Sequence, residues 1–168
     1  MAQRTATPAA RWVSRWSGRV ASLISTDPVP PGLDDDSLWL AFREATLPHS
    51  EWKHRTHVRV AFLHLARWSL DEAHLRMRAG IIRLNERHGL EESPARGYFE
   101  TLTRAWLVLI AHARGRAPYA MSADLLAAHP ELLDKALTFR FYSRELLASA
   151  RARAIFVEPD VTPLPTLA

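Results

Sequence analysis

His57-Val58-Arg59-Val60-Ala61-Phe62-Leu63-His64-Leu65-Ala66-Arg67-Trp68-Ser69-Leu70-Asp71-Glu72 is the stretch that decides the fold of this 168-residue chain. Val58, Ala61, Phe62, Leu65 and Trp68 recur at i, i+3, i+4 and i+7, the spacing of one buried helix face. Ser69 followed by Glu72 reads as a capping box that stops this helix and starts the next. Leu70, Ala73, Met77, Ile81 and Leu84 continue the pattern, and Gly89 after His88 supplies a C-terminal stop. Two long helices in antiparallel succession, with no alternating stretch between them, predict an all-α protein.

Working outward, every other segment also reads as helix. A first helix is expected over residues 37–45 with Asp36 as N-cap and Leu38, Phe42 and Ala45 facing inward. The central helix is expected to begin near Ser50 and to run to about Trp68. Ser93-Pro94 gives an N-cap followed by proline at the first helical position. A fourth helix should therefore run from there to about Arg114, burying Phe99, Leu102, Trp106, Leu109 and Ala113. Ser122 is expected to cap a short turn. Pro130 is expected to open a helix through about Phe141, and Ser143 and Ser149 to cap the last pieces. The expected architecture is a single compact helical bundle of about five to seven helices with an N-terminal extension.

Three segments follow from this reading: an extension at 1–33, a helical domain at 34–158 and an extended Pro-rich tail at 159–168. The extension ends in Asp27-Pro28-Val29-Pro30-Pro31-Gly32, which is hostile to helix. Within it Trp12, Trp16, Val20 and Leu23 fall at helical spacing beside Arg11, Arg15 and Arg19. That is the pattern of a short basic amphipathic helix able to lie on an anionic membrane, or of a poorly ordered leader.

Composition excludes several function classes. The chain has no cysteine, so disulfides and thiol chemistry are out, and a cytoplasmic location is the expectation. The net charge of +4 is concentrated at the start, where four arginines oppose one aspartate in residues 1–31, leaving +1 for the rest. Without a basic run in the body, nucleic acid is not an expected partner. Nearly all cations are arginine, with Lys53 and Lys135 the exceptions, which raises the pI to about 10.1 without adding charge at neutral pH. There is no nucleophile elbow, phosphate-binding glycine loop or dinucleotide fingerprint.

The residues that carry chemistry are in Trp52-Lys53-His54-Arg55-Thr56-His57 and Gly97-Tyr98-Phe99-Glu100-Thr101-Leu102-Thr103. At about 100° per residue, His54, His57 and His64 all border the apolar stripe of the central helix. If Glu100 faces them from the fourth helix, three outcomes are open. His54, His57 and Glu100 could hold a divalent transition metal such as Zn, Fe or Mn, with Glu44 adding an oxygen. They could instead form a metal-free pocket in which the histidines act as general acid/base or anchor an acidic ligand, with Tyr98 beside them. Or they could be a structural polar core. Tyr142 with Arg144 could line the same cavity, while His74, His88, His112 and His129 read as surface or helix-end residues, His129 as a cap before Pro130. The leading expectation is a small-molecule-binding protein or enzyme; the alternative is a non-catalytic interaction or regulatory module.

The order Trp52-x-His54-x-x-His57, Asn85 to Gly89, Gly97 to Thr103, Phe141-Tyr142-Ser143 and Val157-Glu158-Pro159-Asp160 resembles a family of small bacterial helical proteins. The resemblance covers roughly residues 36–165. It implies one helical domain and brings no established reaction. Relatives often carry His where this chain has Phe99.

Overall fold

A computed structural model of the chain describes residues 32–93 and 96–167. Seven α-helices and three 3-10 turns follow one another among those residues, with no β-strand. The expectations for the basic extension and for Pro94 lie outside the described residues.

The first helix, α1 (Asp35–Arg43), starts two residues before the expected position. Its cap is Asp34, not Asp36: the Asp34 carboxylate accepts the Ser37 N–H at 2.7 Å. Three consecutive aspartates offer three possible caps, and the choice is fixed by Asp35. That carboxylate turns inward to accept from the Arg59 guanidinium at 2.8 Å and from the Ser122 N–H at 2.7 Å. Leu38, Phe42 and Ala45 are buried as expected. Ala45 lies beyond the helix end at φ 53°.

The central helix does not run unbroken from Ser50. A 3-10 turn at His49–Glu51 is followed by extended backbone at Lys53, and α2 spans His54–Leu65. The Thr56 hydroxyl donates to the Glu51 carbonyl at 2.7 Å, tying the first turn of α2 back to the 3-10 turn. Helix α3 (Leu70–Arg87) has half of the expected capping box. Ser69 accepts the Glu72 N–H at 3.4 Å, while the Glu72 carboxylate takes the Arg76 Nε–H at 2.6 Å. At the other end Gly89 has φ 65°, and the amides of Gly89 and Leu90 donate back to Glu86 and Asn85. This is the left-handed stop that glycine favours.

Helix α4 (Glu100–Arg114) begins six residues after Pro94. Ser93 and Arg96 instead exchange backbone hydrogen bonds at 3.1 and 3.2 Å, and Gly97 follows at φ 95°. Phe99 then enters the helix from extended backbone. The Glu92 carboxylate accepts the Tyr98 N–H at 2.9 Å and fixes this turn. Beyond α4 come α5 (Ser122–Ala128), 3-10 turns at Pro130–Leu133 and Lys135–Arg140, α6 (Arg144–Leu147) and α7 (Ala150–Ala154). Two short turns thus replace the helix expected from Pro130 to Phe141. They are separated at Asp134, whose carboxylate accepts the Ala136 N–H at 2.8 Å. Ser122 is inside α5 and serves Asp35 and Arg59 instead of capping. Ser143 and Ser149 do cap α6 and α7.

Helix α2 is the centre of the bundle and packs on α1, α3 and α4. Its Val58, Val60, Ala61 and Phe62 are fully buried, beside Phe42, Leu84, Leu107 and Ile110. The tail after α7 has no helix and is held by side chains of earlier elements. The Thr101 hydroxyl donates to the Ile155 carbonyl at 2.9 Å and accepts the Val157 N–H at 3.1 Å. The buried Tyr142 hydroxyl donates to the Val157 carbonyl, and Asp160 accepts from the Ser143 N–H at 2.8 Å and its hydroxyl at 2.6 Å. The Gly-Tyr-x-Glu-Thr, Phe-Tyr-Ser and Val-Glu-Pro-Asp segments therefore meet in one clasp.

Candidate functional site

A cavity of about 970 Å³ opens between the start of α2, the middle of α3, the start of α4 and the turns that follow Asp134. Its size is within the range of small-molecule sites. The apolar walls are Val58 and Ala61 from α2, Met77 and Ile81 from α3, and Phe99, Leu102 and Trp106 from α4. Phe139 and Leu147 close the remaining side. This explains why α4 differs from its expected burial. Phe99, Leu102 and Trp106 are only partly buried because they face the cavity, whereas Leu109 and Ala113 are buried as expected and pack into the core with Thr101, Ala105, Leu107 and Ile110.

His54 and His57 both line the cavity, because they lie one turn apart at the start of α2. The Nε2–H of His54 donates to the Leu132 carbonyl at 2.9 Å, bracing α2 against the turn beyond α5. The Nδ1–H of His57 donates to the Lys53 carbonyl at 2.8 Å, and its ring stacks on Trp52 with centroids 3.6 Å apart. A carbonyl can only accept, so each of these ring nitrogens must carry hydrogen. In the neutral rings, Nδ1 of His54 and Nε2 of His57 are consequently bare acceptors. Burial disfavours the charged forms. It lowers the His54 pKa, and it lowers that of His57 to about 4, against the raising effect of each backbone bond. At neutral pH both imidazoles are uncharged.

Glu100 does not join them. Its carboxylate is 3.3 Å from Nε2 of His74 and 3.4 Å from the Arg78 guanidinium, both on α3, and it is not among the cavity walls. Tyr98 belongs to both places: its ring lines the cavity and its hydroxyl is 3.3 Å from the same His74 nitrogen. Burial, and then the adjacent Glu100, push the Tyr98 phenol above its ordinary pKa, so it is a hydrogen-bond donor and not a phenolate. Burial lowers the pKa of His74, opposed by Glu100. His74 was not expected here. The only signal was its place four residues before Arg78, which puts both on the α3 face that meets the start of α4.

The expected metal trio is therefore not assembled, and among the described residues no three His, Asp or Glu side chains are placed to hold a metal ion. Glu44 is an exposed C-cap of α1. His64 is a core residue, with its Nδ1–H on the Val60 carbonyl at 2.8 Å and its ring edge-on to Trp39 and Phe42. His129 is buried and stands at the expected N-cap position before Pro130, but its ring makes no cap bond and instead bridges the Tyr119 hydroxyl and the Glu131 carboxylate, each at 3.0 Å. Of the expected Tyr142 and Arg144, only Arg144 lines the cavity. Lys53 and Lys135, the two lysines of the chain, also line it, with Asp134 as the one carboxylate. Neither lysine drew notice as a site residue, because isolated surface cations carry no pattern. No helix among the described residues is long and apolar enough to cross a membrane. Comparisons with protein-family models, with curated proteins and with solved structures found no match to this chain.

Proposed function

We propose that this protein binds a small organic molecule in the cavity beside α2, with His57 accepting a hydrogen bond from it. The observation that carries this reading is an uncommitted imidazole nitrogen on the wall of a 970 Å³ space whose walls are largely apolar, with its charged side chains at the rim. A few polar groups converging on an apolar pocket is the usual form of a ligand site. Thr103 adds a hydroxyl-bearing side chain to the same lining. Binding is favoured over acid/base catalysis because an imidazole with a pKa of about 4 is a weak base at neutral pH. The structural alternative fits two of the expected residues. Glu100 is occupied by His74 and Arg78, and His54 braces α2 against Leu132.

The test uses two isosteric flat probes, 2-naphthamide and 2-naphthoate, in saturation-transfer NMR at about 1 mM, where a weak site still registers. At least one probe should receive saturation from the full chain and show intermolecular NOEs to the indole of Trp106. Leu102→Trp, which fills the cavity, should abolish both signals while the chain remains folded by circular dichroism. Absence of transfer to either probe, or unchanged transfer in a folded L102W, overturns the reading.

A further inference from the structure

Among the described residues, the charged side chains that line this cavity are three cations, Lys53, Lys135 and Arg144, and one acid, Asp134. Elsewhere five arginines are in ion pairs: Arg43 with Glu44, Arg59 with Asp35, Arg76 with Glu72, Arg78 with Glu100 and Arg104 with Asp71. None of the three cavity cations is in an ion pair among the described residues. Asp134, the one acid among the described lining residues, accepts the Ala136 N–H and keeps its negative charge, which offsets one of the three cations. Arg144 is held in place by its guanidinium lying over the Phe139 ring at 4.1 Å. Lys135 approaches from the side of the imidazoles, since its charge acts on both His54 and His57. Three cations against one carboxylate leave a net charge of +2 around a cleft with low-dielectric walls, which makes a positive focus at its mouth.

The walls below that mouth are aromatic. Trp52, Phe99, Trp106 and Phe139 surround the space, with Trp52 already stacked between His57 and Phe42. Flat faces of this kind favour a planar apolar body over a flexible chain, because stacking adds to area burial and a rigid ring loses less entropy on binding. We infer that the ligand of this cavity is an aromatic monoanion, a carboxylate on a flat apolar ring system, whose charge is held by Lys53, Lys135 and Arg144. The inference rests on the reading of the cavity as a binding site and assigns the class of molecule that it takes.

The test compares dissociation constants for 2-naphthoate, 2-naphthamide and 2-naphthamidine, an anion, a neutral isostere and a cation of the same shape, by calorimetry on the full chain. Naphthoate should bind about tenfold or more tighter than the amide, and the amidine weakest of the three. In a Lys53→Met/Lys135→Met double variant, which keeps most of each apolar stem, the naphthoate preference should fall to about twofold or less. These lysines are exposed, so the variant is expected to fold, and an unchanged melting temperature documents that. Equal affinity for naphthoate and naphthamide, a preference for the amidine, or a preference that survives in the double variant overturns the inference while leaving a ligand site standing. If none of the three binds, the site reading itself fails and takes the inference with it.

Discussion

The carboxylate of Glu100 lies 3.3 Å from Nε2 of His74, and each side chain is only 12% exposed. Glu100 is the first residue of α4 and His74 is in the second turn of α3, so this contact joins the two helices at the point where Tyr98 enters. A carboxylate is also favoured there by the helix dipole. Replacing Glu100 by Ala should destabilise the protein by roughly 1–3 kcal/mol, because Arg78 and His74 lose their partner in a half-buried place. Glu100→Gln should cost less and should lower the proton affinity of His74 further, as followed by imidazole chemical shifts. Naphthoate affinity should stay within about twofold in E100Q, since Glu100 is not a cavity wall. A large affinity loss in a folded E100Q protein would contradict this assignment.

The Thr101 hydroxyl is fully buried and serves two backbone groups of the tail, the Ile155 carbonyl and the Val157 amide. Thr101→Val keeps the shape and removes both bonds, leaving a part-buried donor and acceptor without their partner. A loss of roughly 2–4 kcal/mol in urea unfolding is expected from two such groups. Hydrogen exchange should separate this from general loosening: the Val157 amide should lose protection first, before amides in α2. Uniform loss of protection across the bundle would show that the clasp is not local.

Gly80 is in the middle of α3, where alanine would ordinarily stabilise a helix by about 1 kcal/mol. Here the sign reverses, because a Cβ at this position would collide with the ring of Phe42, a side chain only 2% exposed. Gly80→Ala should therefore destabilise, with overpacking of about 1–3 kcal/mol outweighing the propensity gain. Phe42→Leu in the same chain should relieve the collision, so the double variant should be more stable than the two separate losses add up to. Simple additivity in thermal melts would refute the contact.

How much of this was legible beforehand differs element by element. The stripe of α2 and the stop at Gly89 could be read because periodicity and a left-handed glycine act locally. The face of α4 could be read only in its second half, at Leu109 and Ala113. Phe99, Leu102 and Trp106 are as apolar as core residues, and nothing in a linear pattern distinguishes a wall of an internal cleft from a packed interior. The site was half legible: the spacing of His54 and His57 placed both on one cavity wall. Glu100, in contrast, was assigned to the wrong helix face, because its partners His74 and Arg78 come from α3 and their rotation is set by packing. Lys135 is 82 residues from Lys53, and only the fold brings those two rare lysines to one rim.

The buried imidazoles set the response to acid. Burial lowers the pKa of His64 to about 4, below the ordinary 6.5 that the unfolded chain retains, and His57 is lowered to a similar value by the same cause. As pH falls below 6.5 the unfolded state therefore takes up protons first, and the folded state loses ground until the folded pKa near 4 is passed. The contribution is fully present above about pH 6.5 and is lost across the window from there to about pH 4. For a single buried histidine the limit is on the order of 3 to 4 kcal/mol. His64→Phe keeps the edge contacts with Trp39 and Phe42 and removes the titration, so its stability should change less between pH 7 and pH 5 than that of the parent. The neutral tautomers give a second readout on the same groups. Long-range ¹H–¹⁵N spectra should show His57 and His64 protonated at Nδ1 and bare at Nε2 at neutral pH, because Lys53 and Val60 accept from Nδ1. Parallel stability curves for parent and H64F over that window would remove the burial of His64 as the source of acid sensitivity.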